Sequence, residues 1–340
     1  MDQSYLKKIR ELFPLDTGST ALQKLSNLSH STRLYSVDTS SSSLIGEDLG
    51  DCYLIDTPEG QQIASQPHLV GPELDVLSLQ AAHEFKAALK ELDLITDSTG
   101  ILHILRGSAG YMLHEVLPSL HLVRIRTEYR DDGYRDHSDD SRRIEVTYSD
   151  YDGGELDTLI IPDTYATGRS VEAALKYMAE RGLKPRTIII YGFIAISSIR
   201  RLNALCKTLG ARLITFAICD ITQLAANNYD MTLFGIDEHY HTATGELRLL
   251  GSIVGEETLY EMAMNFIPGL DQPGDWSERQ AKLFDGYRKE PGDIRGHLSK
   301  SIAFIKSLDK VNRKQDWYNE AIMQLTKTEL ENLHLTISNY

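Results

Sequence analysis

The sequence predicts an α/β fold, a doubly wound and mostly parallel sheet followed by a helical C-terminal appendage. Three observations predict it. Between residues 100 and 218, short β-branched apolar runs alternate with stretches of helical apolar spacing, as strands buried on both faces of a parallel sheet require. Two of those runs, 100–105 and 159–161, pass directly into small-residue turns that open into helices. Beyond the break at Pro268 and Pro273 the apolar spacing turns helical, through 302–308 and 317–333.

The bulk properties narrow the function classes. The 340 residues suffice for one large domain with an appendage, or for two domains. Hydrophobic residues at 41% and charged residues at 25% are ordinary for a globular chain. With 35 basic against 49 acidic side chains, the net charge of −14 argues against nucleic acid as a partner. No apolar run reaches membrane-spanning length and the polar start lacks a signal-peptide core, so a cytoplasmic protein with no membrane partner is expected. Cys52, Cys206 and Cys219 are odd in number and lack ligand spacing, which points to buried free thiols.

Taken in order, residues 1–60 form a poorly defined N-terminal segment. It holds one expected helix at 5–13, a Ser-rich connection at 39–43, and a strand from Cys52 to Ile55 followed by a turn. A domain over 61–255 follows. Leu77, Leu79, Ala82, Phe85, Leu89 and Leu92 place a helix across 72–92. The strand at 100–105 runs into Arg106-Gly107-Ser108-Ala109-Gly110 and a helix near Tyr111, and 121–126 reads as the next strand. Residues 132–157, rich in Asp, Gly and Arg, read either as a charged flap that admits substrate and excludes water or as a solvated surface hairpin around 144–146. Strands at 187–194 and 212–218 flank a helix at 197–209, and 256–340 is the helical extension.

The chemistry concentrates at 159–170. A strand ends at Pro162-Asp163, a turn carries Thr164-Tyr165-Ala166-Thr167-Gly168, and Arg169-Ser170 begin an amphipathic helix. The first N–H groups of such a helix lack internal acceptors, and its dipole places partial positive charge there. Thr164, Thr167 and Ser170 add hydroxyls, and Asp163 sits within reach of a ribose diol. A bare βα turn is the alternative reading.

This stretch resembles the phosphoribosyl pyrophosphate signature of the type I phosphoribosyltransferases, and Ala166-Thr167-Gly168-Arg169-Ser170 is closest to the uracil phosphoribosyltransferase branch. Most members of the family carry two adjacent acids before the turn, and the uracil branch keeps the first followed by Pro; here Pro162 stands first and Asp163 second. The 106–110 turn is similar to the pyrophosphate loop of the same branch, and Tyr129-Arg130-Asp131 to the segment preceding its mobile flap. More faintly, 228–237 matches the base-holding segment, without its Pro-Gly.

The resemblance, over roughly 70–255, implies transfer of a 5-phosphoribosyl group from phosphoribosyl pyrophosphate to a nucleobase-like acceptor, with uracil-like pyrimidines first. It implies catalytic roles for Asp163, Arg106 and Arg130, and phosphate binding by Gly107, Ser108, Thr164, Ala166, Thr167, Gly168, Arg169 and Ser170. Phe234, Gly235 and Asp237 would hold the base, Asp163 would bind Mg²⁺, and the protein would be a homodimer. His239 and His241 form a possible metal pair without an evident third ligand, so a surface turn is the alternative. The rival functions are a regulatory protein that binds the nucleotide without transfer, motivated by Pro162, and a different α/β enzyme that handles phosphate.

Overall fold

The structure is a computed structural model that describes residues 7, 10, 11, 15, 16, 21–130 and 143–340. The chain enters its sheet early. β1 (Leu15–Asp16), β2 (Leu22–Asn27), β3 (Arg33–Val37) and β4 (Asp51–Asp56) precede α1 (Pro58–Ser65) and the long α2 (Gly71–Glu91). β5 (Thr99–Leu105) leads through a tight 3-10 turn at Gly107–Tyr111 to α3 (Leu113–Val116), β6 (His121–Tyr129) and β7 (Ile144–Ser149). β8 (Thr158–Pro162), α4 (Arg169–Glu180), β9 (Thr187–Ala195), α5 (Ile196–Leu209) and β10 (Arg212–Thr222) then alternate strictly. The C-terminal part holds α6 (Glu238–Thr244), β11 (Ser252–Val254), α7 (Glu256–Met262), the short strands β12 (Leu283–Phe284) and β13 (Lys289–Glu290), α8 (Ile294–Asn312) and α9 (Glu320–Ile337).

The main sheet runs β2-β3-β4-β10-β9-β8-β5-β6-β7. From β4 to β6 every neighbouring pair in this order is parallel; β2–β3, β3–β4 and β6–β7 are antiparallel, and β11 adds antiparallel to the end of β10. Successive residues of β9 alternate between two cores, Ile188 and Ile190 on one face and Ile189 and Tyr191 on the other, as the period of a strand demands. On the first face lie α4 and α5, through Val171, Leu175, Met178, Ile199 and Leu202. On the second lie α2, α8 and α9, through Phe85, Leu298, Ile305 and Leu333. The expected doubly wound, mostly parallel sheet is therefore present.

Both ends of the chain join the sheet and its core. Residues before 60 supply β2, β3 and β4, and β4 pairs in parallel with β10 from Asp51 to Ile55, inside the sheet. Residues after 255 share one continuous core with Leu34, Ile55 and Ile160. Boundaries at 60 and 255 do not separate hydrophobic cores. Cys52, Cys206 and Cys219 are buried and free, as expected. Among the described residues no helix is long and apolar enough to cross a membrane.

The topology places a crevice. β5 connects onward to β6 on one side, whereas its neighbour β8 connects through α4 to β9 on the other. Loops leaving the carboxyl ends of these two adjacent strands diverge, and open α/β sheets bind ligands in the gap so formed.

Candidate active site

The β8–α4 turn is held open by its neighbours. Gly168 takes φ 73° at the helix N-cap, where an added Cβ would sit 3.1 Å from the Ser198 Cβ. It has no side chain to cap α4, and N–H groups at the start of a helix lack intrahelical acceptors and suit an anion. The turn's own carbonyls are anchored away from the crevice: Ser197 Oγ donates to Ala166 O (2.9 Å) and Arg201 Nε donates to Thr167 O (2.9 Å). A cavity of about 150 Å³ lies against this turn, bounded by residues 163–171 with Tyr129, Asn228 and Tyr229. Arg169 extends over the Tyr129 ring at 5.6 Å. Thr164, Ala166, Thr167, Gly168, Arg169 and Ser170 thus converge on one small cavity, the arrangement a phosphate needs.

Asp163 stands between this cavity and a larger one of about 620 Å³, bordering both. The backbone N–H of Thr164 donates to its Oδ1 (2.9 Å), and among the described residues no ion pair reaches it. Burial pushes its carboxyl up to about 7, partly offset by that one hydrogen bond. The position depends on Gly192 of β9: any Cβ there would collide with the Asp163 carbonyl oxygen. Tyr111 ties the two strand ends together, its hydroxyl 2.7 Å from Thr164 Oγ1.

The larger cavity has Ile104, Leu105, Arg106 and Gly107 on one side and residues 271–278 on the other, with Met231, Asp293 and Lys300. Sequence reasoning missed this second wall. Trp276 Nε1 and Gln280 Nε2 donate to Gly107 O at 3.0 and 3.2 Å, and the Trp276 ring packs on Tyr111 with centroids 4.6 Å apart. Arg279, fully buried, donates to the carbonyls of Ile63 (2.9 Å), Gln66 (3.1 Å), Leu69 and Pro273. It pins the segment to the α1–α2 connection. The Pro268 and Pro273 signal marked a break in the sequence, but nothing local indicated where the following residues pack.

Several expected site residues have other jobs. Ser108 is buried, and its Oγ accepts the Ile104 N–H (2.8 Å), so its hydroxyl holds the 3-10 turn rather than facing the crevice. Arg106 borders the crevice but forms ion pairs with Glu278 (2.9 Å) and Glu290 (2.8 Å). Arg130 is exposed on the far end of β6 and pairs with Glu145 (2.7 Å); it borders neither cavity. Gly235 packs its backbone against Gly251. Asp237, fully buried, caps α6 by accepting from Tyr240 N (3.1 Å) and also accepts from Ala226 N. Neither borders the two cavities. The Phe234 side chain and Asp131, with the flap positions 132–142, lie outside the described residues. His241 is buried, 3.0 Å from Asn312 Oδ1 through Nε2, which makes it structural.

Among the described residues no group of three or more His, Cys, Asp or Glu could hold a metal ion by itself. Asp163 suits a different arrangement, one carboxylate sharing Mg²⁺ with substrate oxygens and water. Its Oδ2 has no hydrogen-bond partner among the described residues, and an arriving cation would favour the ionised form that burial opposes.

No family model matches the chain, and no curated protein matches it. Among solved structures, the AQ2163 protein from Aquifex aeolicus is similar over 50% of this chain and 84% of its own, at 16% identity and a TM-score of 0.36. An adenine phosphoribosyl transferase from Trypanosoma brucei, in complex with AMP, pyrophosphate and ribose-5-phosphate, is similar over 49% and 83%, at 12% identity and a TM-score of 0.33. A purine phosphoribosyltransferase from Pyrococcus horikoshii covers 43% and 81%, at 16% and 0.28. Likeness this distant carries no functional weight.

Proposed function

We propose that the protein transfers a 5-phosphoribosyl group from phosphoribosyl pyrophosphate to a nucleobase-like acceptor and releases pyrophosphate. One observation supports it above the others: a helix-N-terminal phosphate cradle and a Gly107 turn face a shared crevice with Asp163 between them, at the strand pair where the connections diverge. As the anomeric C–O bond breaks, positive charge grows on the ribose and negative charge on the departing diphosphate, so positioning and electrostatics do most of the work. The first-turn N–H groups of α4, with Thr164, Thr167 and Ser170, would hold the 5-phosphate. Asp163 would orient the ribose hydroxyls and, with Mg²⁺ bound, share the ion that offsets diphosphate charge. Arg106 is placed to meet the diphosphate at the other end of the larger cavity once its carboxylate partners yield. A uracil-like acceptor is the starting expectation.

The test is calorimetric titration with phosphoribosyl pyrophosphate and Mg²⁺, then measurement of pyrophosphate release with a panel of bases. Release with any base supports transfer. A second reading, binding without transfer, is favoured by the two ion pairs that occupy Arg106. It predicts saturable binding with no release from any acceptor. Absence of binding removes both readings.

A further inference from the structure

We infer that the larger cavity is an acceptor subsite for a heterocycle that presents N–H donors, an amino-substituted base in preference to a carboxylated one. The inference rests on the phosphoribosyl-transfer reading and specifies its substrate class.

Geometry places the acceptor here. The larger cavity meets the phosphate cradle at Asp163, Thr164 and Ser170, so a base on this side approaches the ribose from opposite the 5-phosphate cradle. Its far wall is preformed, because Arg279 and Trp276 fasten the 271–280 segment to the α1–α2 connection and to Gly107.

The wall reads donors. Asp163, Asp271, Asp275, Glu278 and Asp293 border the cavity, against Arg106 and Lys300 as its cations. Both cations are already engaged, Arg106 by Glu278 and Glu290, and Lys300 by Asp275 (3.7 Å). An anionic base would meet carboxylates without a free counter-charge from these side chains. Gln272 supplies an independent sign. It is 1% exposed, and its Nε2 donates to Asp220 Oδ1 (2.7 Å), which fixes the amide with oxygen on the other side. That oxygen has no hydrogen-bond partner. A buried acceptor left unpaired is costly, and a ligand N–H would satisfy it. Asp271 stands beside it, its Oδ1 accepting the Met231 N–H (2.7 Å) and thereby locked in place. A site whose acceptors await donors also discriminates strongly against ligands that lack them.

The full chain would be titrated with phosphoribosyl pyrophosphate and Mg²⁺ by calorimetry, then assayed for pyrophosphate release with adenine, cytosine, uracil and orotate. The expected result is kcat/KM for adenine or cytosine at least about tenfold above that for orotate. Asp271→Asn, which keeps an oxygen for the Met231 N–H, should raise the KM of the preferred base about tenfold while the Kd of phosphoribosyl pyrophosphate stays within about twofold. Equal or better use of orotate overturns the inference, and that ranking needs no variant. Binding of phosphoribosyl pyrophosphate with no release from either amino-bearing base overturns it also, as does an unchanged acceptor KM in a folded Asp271→Asn protein. Failure to bind phosphoribosyl pyrophosphate at all is the separate failure of the transfer reading, seen in the first titration, and the inference falls with it.

Discussion

Two titratable groups near the β5–β8 pair, half-buried Asp163 and buried His103, pull stability in opposite directions with pH. Burial holds the Asp163 carboxyl at about 7, above the 3.8 of an exposed aspartate, so between about pH 4 and 7 the folded chain keeps a proton that the unfolded chain has released. Stability therefore falls as pH rises through that window, and Asp220, also pushed up to about 7 by burial, adds in the same direction. Asp163→Asn removes its share. Its thermal midpoint at pH 8 should equal or exceed the wild-type value, by about 2 °C, while pyrophosphate release falls about a hundredfold, or roughly 2.7 kcal/mol of transition-state stabilisation. A lowered midpoint with release intact would instead make Asp163 a structural residue. His103 on β5 works the other way. Burial, then the neighbouring His114 and Arg124 charges, push it down to about 3, and its Nε2 has no partner. Below pH 6.5 the unfolded chain takes up the proton that the folded chain refuses, so stability is lost as pH falls toward 3. His103→Leu should flatten the denaturant midpoint between pH 6.5 and 4.5, and a profile as steep as wild type would dismiss this reading.

At the scale of elements, the site is a local feature meeting a distant one. The β8–α4 turn was readable in the sequence because a phosphate cradle is built from consecutive residues: a strand end, a glycine that tolerates φ 73°, and a helix start. The β5 turn was readable for the same reason, although the inward rotation of Ser108 was not, since its partner is the Ile104 N–H rather than anything in the pattern. Gly192 was invisible because it serves a residue on the next strand. The 271–280 segment was invisible because its anchor is Arg279, whose partners Ile63, Gln66 and Leu69 are some 210 residues away. Burial lowers the Arg279 pKa to about 10, and the guanidinium is satisfied by carbonyls rather than by a carboxylate. Arg279→Met leaves those carbonyls buried without donors. It should destabilise the protein by about 3 kcal/mol or more, read as a lower urea midpoint at unchanged slope. Arg279→Lys should recover only part of this, because an ammonium cannot match the fork. An unshifted midpoint for the methionine variant would show that the segment is held by Trp276 and Gln280 instead.

At the scale of the whole molecule, periodicity marked helices in the C-terminal part correctly but was silent on what they cover. In α8, Ile294, Leu298, Ile302, Ile305 and Leu308 recur at intervals of three and four, which any amphipathic helix shows. Only the structure shows that this stripe joins Phe85 of α2 and the sheet in one core, together with Ile322 and Leu333 of α9. The N-terminal strands contribute Leu34 and Ile55 to the same core. A chain cut to residues 61–255, the unit that the sequence pattern alone suggests, would therefore keep α2 but lose α8 and α9 from one sheet face, together with β2, β3 and β4. At about 1.5–3 kcal/mol for each fully buried aliphatic side chain, loss of Leu298, Ile302, Ile305, Leu308, Ile322 and Leu333 alone removes roughly 10 kcal/mol. A domain's whole stability is about 5–15 kcal/mol. The 61–255 fragment should show no cooperative urea transition by far-ultraviolet circular dichroism, whereas the full chain should show one. It should also lose binding of phosphoribosyl pyrophosphate, since residues 271–278 complete the crevice. A fragment that unfolds cooperatively would establish an independent domain, and the C-terminal helices would then be a cover added to a finished core rather than part of it.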